Sequence, residues 1–212
     1  MKKFASMPRP QWSHWDAIQE AEEILPGIWS VSTASHGGLI LSGERQEAMP
    51  EALRIEGGSY EEDVNWSHVV LAFDAEFREQ SKLPASYIAL ARDCVRCWHP
   101  DAFTAFTGEP VTEEESYILK RRRADQACIG ELCVNAAWGD WADWVPEGKT
   151  GVVGSVIRSV DHLGHATYEG ARQYALVDAK AYETRTDPVS FASLNAELID
   201  CPTGMTRCPS TS

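Results

Sequence analysis

The chain has 212 residues, enough for one domain or one domain with an extension, and long enough to bury a core without a disulfide or a metal. Hydrophobic residues make up 43% and charged residues 24%, a balance that excludes fibrous and disordered classes. Lys and Arg number 19 against 32 Asp and Glu, and the resulting net charge of −13 repels nucleic acid and attracts basic surfaces.

Met1-Lys2-Lys3 has the charge of a signal-peptide start, but Pro8, Arg9 and Pro10 follow where an apolar run would be needed. No stretch approaches the ~18 apolar residues of a membrane span. A cytoplasmic protein without a membrane partner is expected. In that compartment its six cysteines, Cys94, Cys97, Cys128, Cys133, Cys201 and Cys208, are thiols.

Residues 1–14 read as an N-terminal arm. Residues 15–24 read as a short helix that ends before Pro26-Gly27. Residues 28–35 form a strand with Val31 and Thr33 as β-branched support, Gly37-Gly38 supply a tight turn, and 39–41 return as its partner. Ser42 caps a short helix through Met49, closed by Pro50. Gly57-Gly58 mark another turn. Residues 66–73 read as a buried strand, with a helix as the alternative for the run from His68. The clearest helix covers 84–98. Pro84 suits its first turn, and Tyr87, Leu90, Ala91, Cys94 and Trp98 recur as one apolar stripe. His99-Pro100 stops it, and 101–106 add a turn.

Residues 111–125 form a charged segment, acidic at Glu113-Glu114-Glu115 and basic at Lys120-Arg121-Arg122-Arg123, supported as a helix by opposite charges. Strands follow at 129–137, 151–158 and 172–177. This order predicts an α+β fold with a mostly antiparallel sheet and one principal packed helix. A single domain is expected over 15–187, with an irregular tail over 188–212 that contains Pro202, Gly204 and Pro209.

Three constellations carry chemistry. His36 lies where a strand meets two glycines, and glycine lets a ligand or another backbone approach closely. A general base or binding donor is one reading of His36, and side-chain hydrogen bonds that stitch a hairpin are the other. Ser35 is set aside as its partner, because neighbours on a regular strand point to opposite faces. The acids Glu61, Glu62 and Asp63 after Tyr60 are the second constellation, either a metal or acid–base cluster near His36 or a solvated strand start. The third is the segment 138–144, where Trp138, Trp141 and Trp144 alternate with Asp140 and Asp143. Aromatics flanked by carboxylates grip basic partners, while a tryptophan at such a position also serves as core.

Cys94-Val95-Arg96-Cys97 is a lone Cys-x-x-Cys pair. A structural zinc would need two further ligands, and His99, Cys128 and Cys133 do not supply a matching knuckle, so both thiols are read as core. Arg121-Arg122-Arg123 fits a solvated face better than a phosphate site in so acidic a chain. Walker, dinucleotide, zinc-protease and nucleophile-elbow fingerprints do not occur. No metal or cofactor is assigned.

Taken together, Ser32-Thr33-Ala34-Ser35-His36-Gly37-Gly38, Tyr60-Glu61-Glu62-Asp63, Trp98-His99-Pro100 and Trp138-Gly139-Asp140-Trp141 resemble an uncharacterised domain family. That family is carried by bacterial plasmids, integrative elements and phages. The resemblance covers roughly residues 15–182. It implies a mobile-element or phage context and brings no catalytic assignment. With the acidity, it leads to an expected role as an accessory protein that binds another protein. The most concrete form is an anti-defence inhibitor that mimics nucleic-acid charge and docks on the basic surface of a nucleic-acid-handling complex, without binding nucleic acid itself. The binding candidates are Ser35, His36, Tyr60, Trp138, Asp140, Trp141, Asp143 and Trp144. The alternative is a small hydrolase or transferase using His36 with Glu61, Glu62 or Asp63.

Overall fold

A computed structural model gives the fold and describes residues 3–203 and 205. The chain forms two compact units, Met1–Ile118 and Leu119–Ser212, in place of the single body expected over 15–187. Each unit has its own antiparallel four-stranded sheet and its own apolar core. The expected α+β class with antiparallel sheets is therefore the observed one.

In the first unit the strands β1 (Glu20–Leu25), β2 (Ile28–Ser32), β3 (Gly37–Leu41) and β4 (Ser59–Glu61) lie side by side in chain order. The β2–β3 hairpin pairs as expected, Ile28 with Leu41 and Ser32 with Gly37. Its loop, however, is 33–36, and the two glycines belong to β3. The expected helix over 15–24 is replaced by β1, whose backbone pairs from Glu20↔Ser32 to Leu25↔Ile28. Helix α1 (Gly43–Ala48) follows β3, and the Ser42 hydroxyl caps it by accepting the Arg45 N–H at 3.2 Å.

Helices α2 (Trp66–Ala72), α3 (Asp74–Gln80), α4 (Ala85–Trp98) and α5 (Pro100–Thr107) complete the unit. Residues 66–73, read first as a strand, are thus mainly helix. Every residue from Trp66 to Leu71 is buried, so α2 is enclosed on all sides and shows no one-sided period to identify it. On α4 the buried residues are Ile88, Ala91 and Val95. The expected stripe meets the core only in part: Ala91 is fully buried and Tyr87 packs against the core, whereas Leu90 is 54% and Trp98 41% exposed. Residues 3–14 are also tied down: the Phe4 ring packs on Phe73 at 5.8 Å and under the Arg45 guanidinium at 3.7 Å.

Helix α6 (Tyr117–Ala127) spans the boundary between the units. Its basic run is used within the second unit: Arg121 faces Asp125 at 3.6 Å, and Arg122 donates to the carbonyl of His162. Beyond it, β5 (Leu132–Trp138), β6 (Lys149–Val160), β7 (Ala166–Asp178) and β8 (Glu197–Ile199) form the second sheet, with α7 (Ala179–Glu183) after β7. The segment expected as an irregular tail contributes β8, and it buries Val189, Phe191 and Leu194 against that sheet. Apolar side chains there, spaced between small residues, cover a face that would otherwise meet water. The part of the expected tail at 204 and 206–212, Cys208 and Pro209 included, lies outside the described residues.

No helix among the described residues is long and apolar enough to cross a membrane.

Candidate functional site

The 33–36 loop is closed by Thr33. Its hydroxyl donates to the His36 carbonyl at 2.9 Å and accepts the His36 N–H at 3.1 Å. Its own N–H donates to the same carbonyl at 2.7 Å. This is the hairpin-stitching arrangement. It leaves Ser35 and His36 exposed, with Ser35 Oγ 2.8 Å from His36 Nδ1. The two side chains meet because they lie on a loop, and the alternation that was expected to separate them does not operate there.

The glycine pair acts through space. Gly38 has φ +150° and lies in close contact with the Tyr60 carbonyl and the tip of Trp15, where a Cβ would be 2.2 Å and 2.7 Å away. At Gly37 a Cβ would fall 2.4 Å from Glu62 Oε2, so the absent side chain makes room for that carboxylate. The ladder continues through Gly38↔Glu61, and the Glu62 N–H donates to the Gly37 carbonyl at 3.1 Å. The His-Gly-Gly and Tyr-Glu-Glu-Asp segments are therefore neighbours on one sheet.

Of the acids, Glu61 Oε2 accepts the Asp63 N–H at 2.9 Å, while Glu62 and Asp63 are exposed. Tyr60, expected at a binding surface, is fully buried. Its hydroxyl donates to Gln46 at 2.9 Å and accepts the Ile55 N–H at 3.1 Å, which makes it a core residue.

A groove of about 450 Å³ opens on this sheet. Alternate residues of a strand share a face, so Ile28, Ser30 and Ser32 of β2 lie on the same side, together with Glu22 and Glu20, which oppose Ser30 and Ser32 on β1. Ile28 is buried at one end, whereas Ser30 is exposed and Ser32 half-buried at the other, and the groove lies along that less covered end. Its lining includes the carboxylates of Glu20, Glu22 and Glu62 and the rings of Trp66 and Tyr87. The two rings stack at 4.3 Å with an interplanar angle of 25°. Among the described residues, no Lys, Arg or His lines it. Burial pushes the Tyr87 phenol up, with Cys94 adding to the effect, so the ring stays neutral beside the acids.

Sequence reasoning brought only Glu62 of these five side chains to the site. Glu20 and Glu22 were assigned to a helix, which would not have aligned them with Ser32 and Ser30. Trp66 was assigned to a strand, and Tyr87 to a buried stripe. His36, Glu61 and Asp63 do not line the groove.

In the second unit the segment 138–144 divides. Trp138 and Trp144 are half-buried, with ring centroids 5.9 Å apart, and Trp144 lies against Gly151. Trp141 is 74% exposed between the exposed Asp140 and Asp143. Only one of the three expected anchors is thus fully available to a partner.

A family model described as Domain of unknown function (DUF7007) matches residues 8–129. The span includes the motifs at 32–38, 60–63 and 98–100 and stops before 138–141. No curated protein and no solved structure matches the chain.

Proposed function

Because the chain belongs to the DUF7007 family, a domain of unknown function, its chemistry has to be taken from its own surfaces, and we propose that it is a binding protein for a basic partner. The groove carries this reading: three carboxylates and a stacked Trp66–Tyr87 wall, with no basic side chain in the lining among the described residues. Guanidinium and ammonium groups are attracted both to carboxylates and to aromatic faces. Arginine suits the pairing best, because its planar group also stacks on a ring. The exposed Asp140-Trp141-Ala142-Asp143 segment offers a second acidic surface with one aromatic anchor.

In its most concrete form the protein is a cytoplasmic accessory factor of a plasmid, integrative element or phage. It acts as an anti-defence inhibitor by occupying the basic surface through which a nucleic-acid-handling host complex holds its substrate. The net charge of −13 supports a charge-mimic mode.

The test is binding of labelled Arg-rich, Lys-rich and Glu-rich peptides to the full chain at several salt concentrations. The Arg-rich peptide is expected to bind best, to weaken with salt, and to lose affinity at least tenfold with Glu22→Lys plus Glu62→Lys; Tyr87→Leu should also weaken it. Equal binding of the acidic peptide, or affinity unchanged in the charge-reversed protein, would reject the reading.

A hydrolase of another form than His36 with Glu61, Glu62 or Asp63 has one observation in its favour, the 2.8 Å contact between Ser35 and His36. A Ser–His pair is a nucleophile–base geometry. Both residues are exposed and neither lines the groove, so the binding reading is preferred. Ester turnover abolished by Ser35→Ala would reverse that preference.

A further inference from the structure

The turn between α6 and β5 brings together three side chains that the binding reading does not use. The sulfur of Cys128, one carboxylate oxygen of Glu131 and the sulfur of Cys133 all lie within 4.8 Å of one another. The backbone that carries them is well held. The Gly130 N–H donates to the Ile157 carbonyl at 2.8 Å, the Ile157 N–H donates to the Glu131 carbonyl at 3.1 Å, and the Glu131 N–H donates to the Cys128 carbonyl at 3.0 Å. Gly130 has φ +87°, which lets the chain reverse within these few residues. Cys133 is then fixed in β5 opposite Ser155 and is 1% exposed. The backbone that carries the three donors is therefore held before any ligand arrives, with Cys133 in the sheet and Cys128 and Glu131 in the turn that leads to it.

We propose that Cys128, Glu131 and Cys133 form a site for a thiophilic divalent cation, with zinc the physiological representative. Two sulfurs and one carboxylate oxygen are a borderline-soft donor set that suits zinc and its analogues better than magnesium or calcium. A tetrahedral ion with bonds of about 2.0–2.3 Å needs donors roughly 3.3–3.8 Å apart, a small contraction from a cluster of this size. The fourth position faces outward, because Glu131 is exposed and Cys128 half-buried, and it takes water or a donor from a partner. A cluster of two thiols alone would fit a disulfide equally well. The converging carboxylate favours the cation, since a disulfide has no use for it. Asp125, 7% exposed and within electrostatic reach of both sulfurs, adds a negative charge behind the site, tempered by its ion pair with Arg121. On binding, each thiol gives up its proton to solvent and both sulfurs ligate as thiolates.

The site differs from the Cys-x-x-Cys pair at 94 and 97. Among the described residues, the three-donor convergence occurs at Cys128, Glu131 and Cys133.

The experiment uses the reduced full chain, freed of metal, with Zn²⁺ followed by calorimetry and Co²⁺ by its thiolate charge-transfer absorption. One equivalent of either ion is expected, with Zn²⁺ displacing Co²⁺ and raising the midpoint of thermal unfolding. Cys128→Ser should abolish the charge-transfer band. Glu131→Gln, at an exposed position that leaves folding intact, should weaken binding by at least the roughly tenfold that even outer-shell changes cost. Cys94→Ser combined with Cys97→Ser should leave the one-equivalent isotherm unchanged. The proposal is overturned if the reduced protein binds neither ion, if binding survives both Cys128→Ser and Glu131→Gln, or if it disappears with the Cys94 and Cys97 changes instead.

Discussion

Arg45 heads the fully buried side chains of the molecule's described part, and each of its three side-chain nitrogens donates to a partner outside its own helix. Its Nη atoms bind both Glu76 oxygens at 3.1 and 2.8 Å, its Nε donates to the Pro26 carbonyl at 2.9 Å, and Phe4 and Phe73 cover its faces. Removing one partner of such a pair leaves a buried charge. Glu76→Ala is therefore expected to cost about 3–5 kcal/mol in urea unfolding, far more than Asp74→Ala at the exposed pair with Arg78. His68 gives a pH-dependent counterpart. Its Nδ1 donates to the Leu53 carbonyl at 3.1 Å, its Nε2 has no hydrogen-bond partner among the described residues, and the His99 ring meets it edge-on at 4.5 Å. Burial, with help from His99, lowers its pKa from 6.5 to about 4. The unfolded chain then takes up this proton at a higher pH than the native state does. The stability linked to His68 is complete above pH 6.5 and is lost as pH falls from there towards 4, on the order of 3 kcal/mol in all. Unfolding midpoints measured across this range should flatten in His68→Leu relative to the wild type, and parallel pH curves would refute the assignment. Neither residue was legible in the sequence, where an arginine on a short polar helix and a histidine in an apolar run carry no mark of burial. His36 was visible only as a type: the glycines beside it announced close approach, but whether to a ligand or to Glu62 and Tyr60 is decided by which strand pairs next to β3.

At the scale of elements, local chemistry was readable where it acts over a few residues. The Ser42 cap and the β2–β3 hairpin follow from such signals, and Ser42→Ala should cost about 1 kcal/mol. Elements whose type is set by what surrounds them were misread. Helix α2 is apolar on all sides, and β1 has the charged composition of a surface helix while its backbone completes a sheet. On helix α4 the buried face is displaced in part: Ala91 is buried as expected, but Ile88 and Val95 are buried in place of Leu90 and Trp98, which are apolar enough to read as core. This yields a paired expectation. Leu90→Ala should change stability by no more than ~0.5 kcal/mol, whereas Val95→Ala, at a fully buried position, should cost ~2 kcal/mol in the same denaturation assay. Most of the groove was lost to the same cause, since two of its three acids come from β1 and its aromatic wall from α2 and α4, while Glu62 follows β4.

For the whole molecule, the excess of acid lies mainly in the first unit, with 20 Asp and Glu against 9 Lys and Arg, while the second has 12 against 10; each unit still presents one feature suited to a cationic partner, the groove in the first and Asp140, Trp141 and Asp143 in the second. Composition made the sign of the charge legible from the outset, but not which tryptophans reach the surface. Trp138 and Trp144 pack on each other and on Gly151, so their removal should destabilise the fold, whereas Trp141→Ala should leave the unfolding midpoint nearly unchanged. This separation allows the mode of action to be tested by kinetics. Long-range attraction governs encounter, so charge reversal at Asp140 and Asp143 should slow association with a basic partner protein, and raising the salt should do the same to the wild type. Contacts formed after encounter govern lifetime, so Trp141→Ala should mainly speed dissociation. Association rates that ignore salt, together with unchanged binding by the Asp140 and Asp143 reversals, would leave the acidity of this segment as a matter of solubility alone. The groove would then have to account for any partner by itself, through Glu22, Glu62 and the Tyr87 ring.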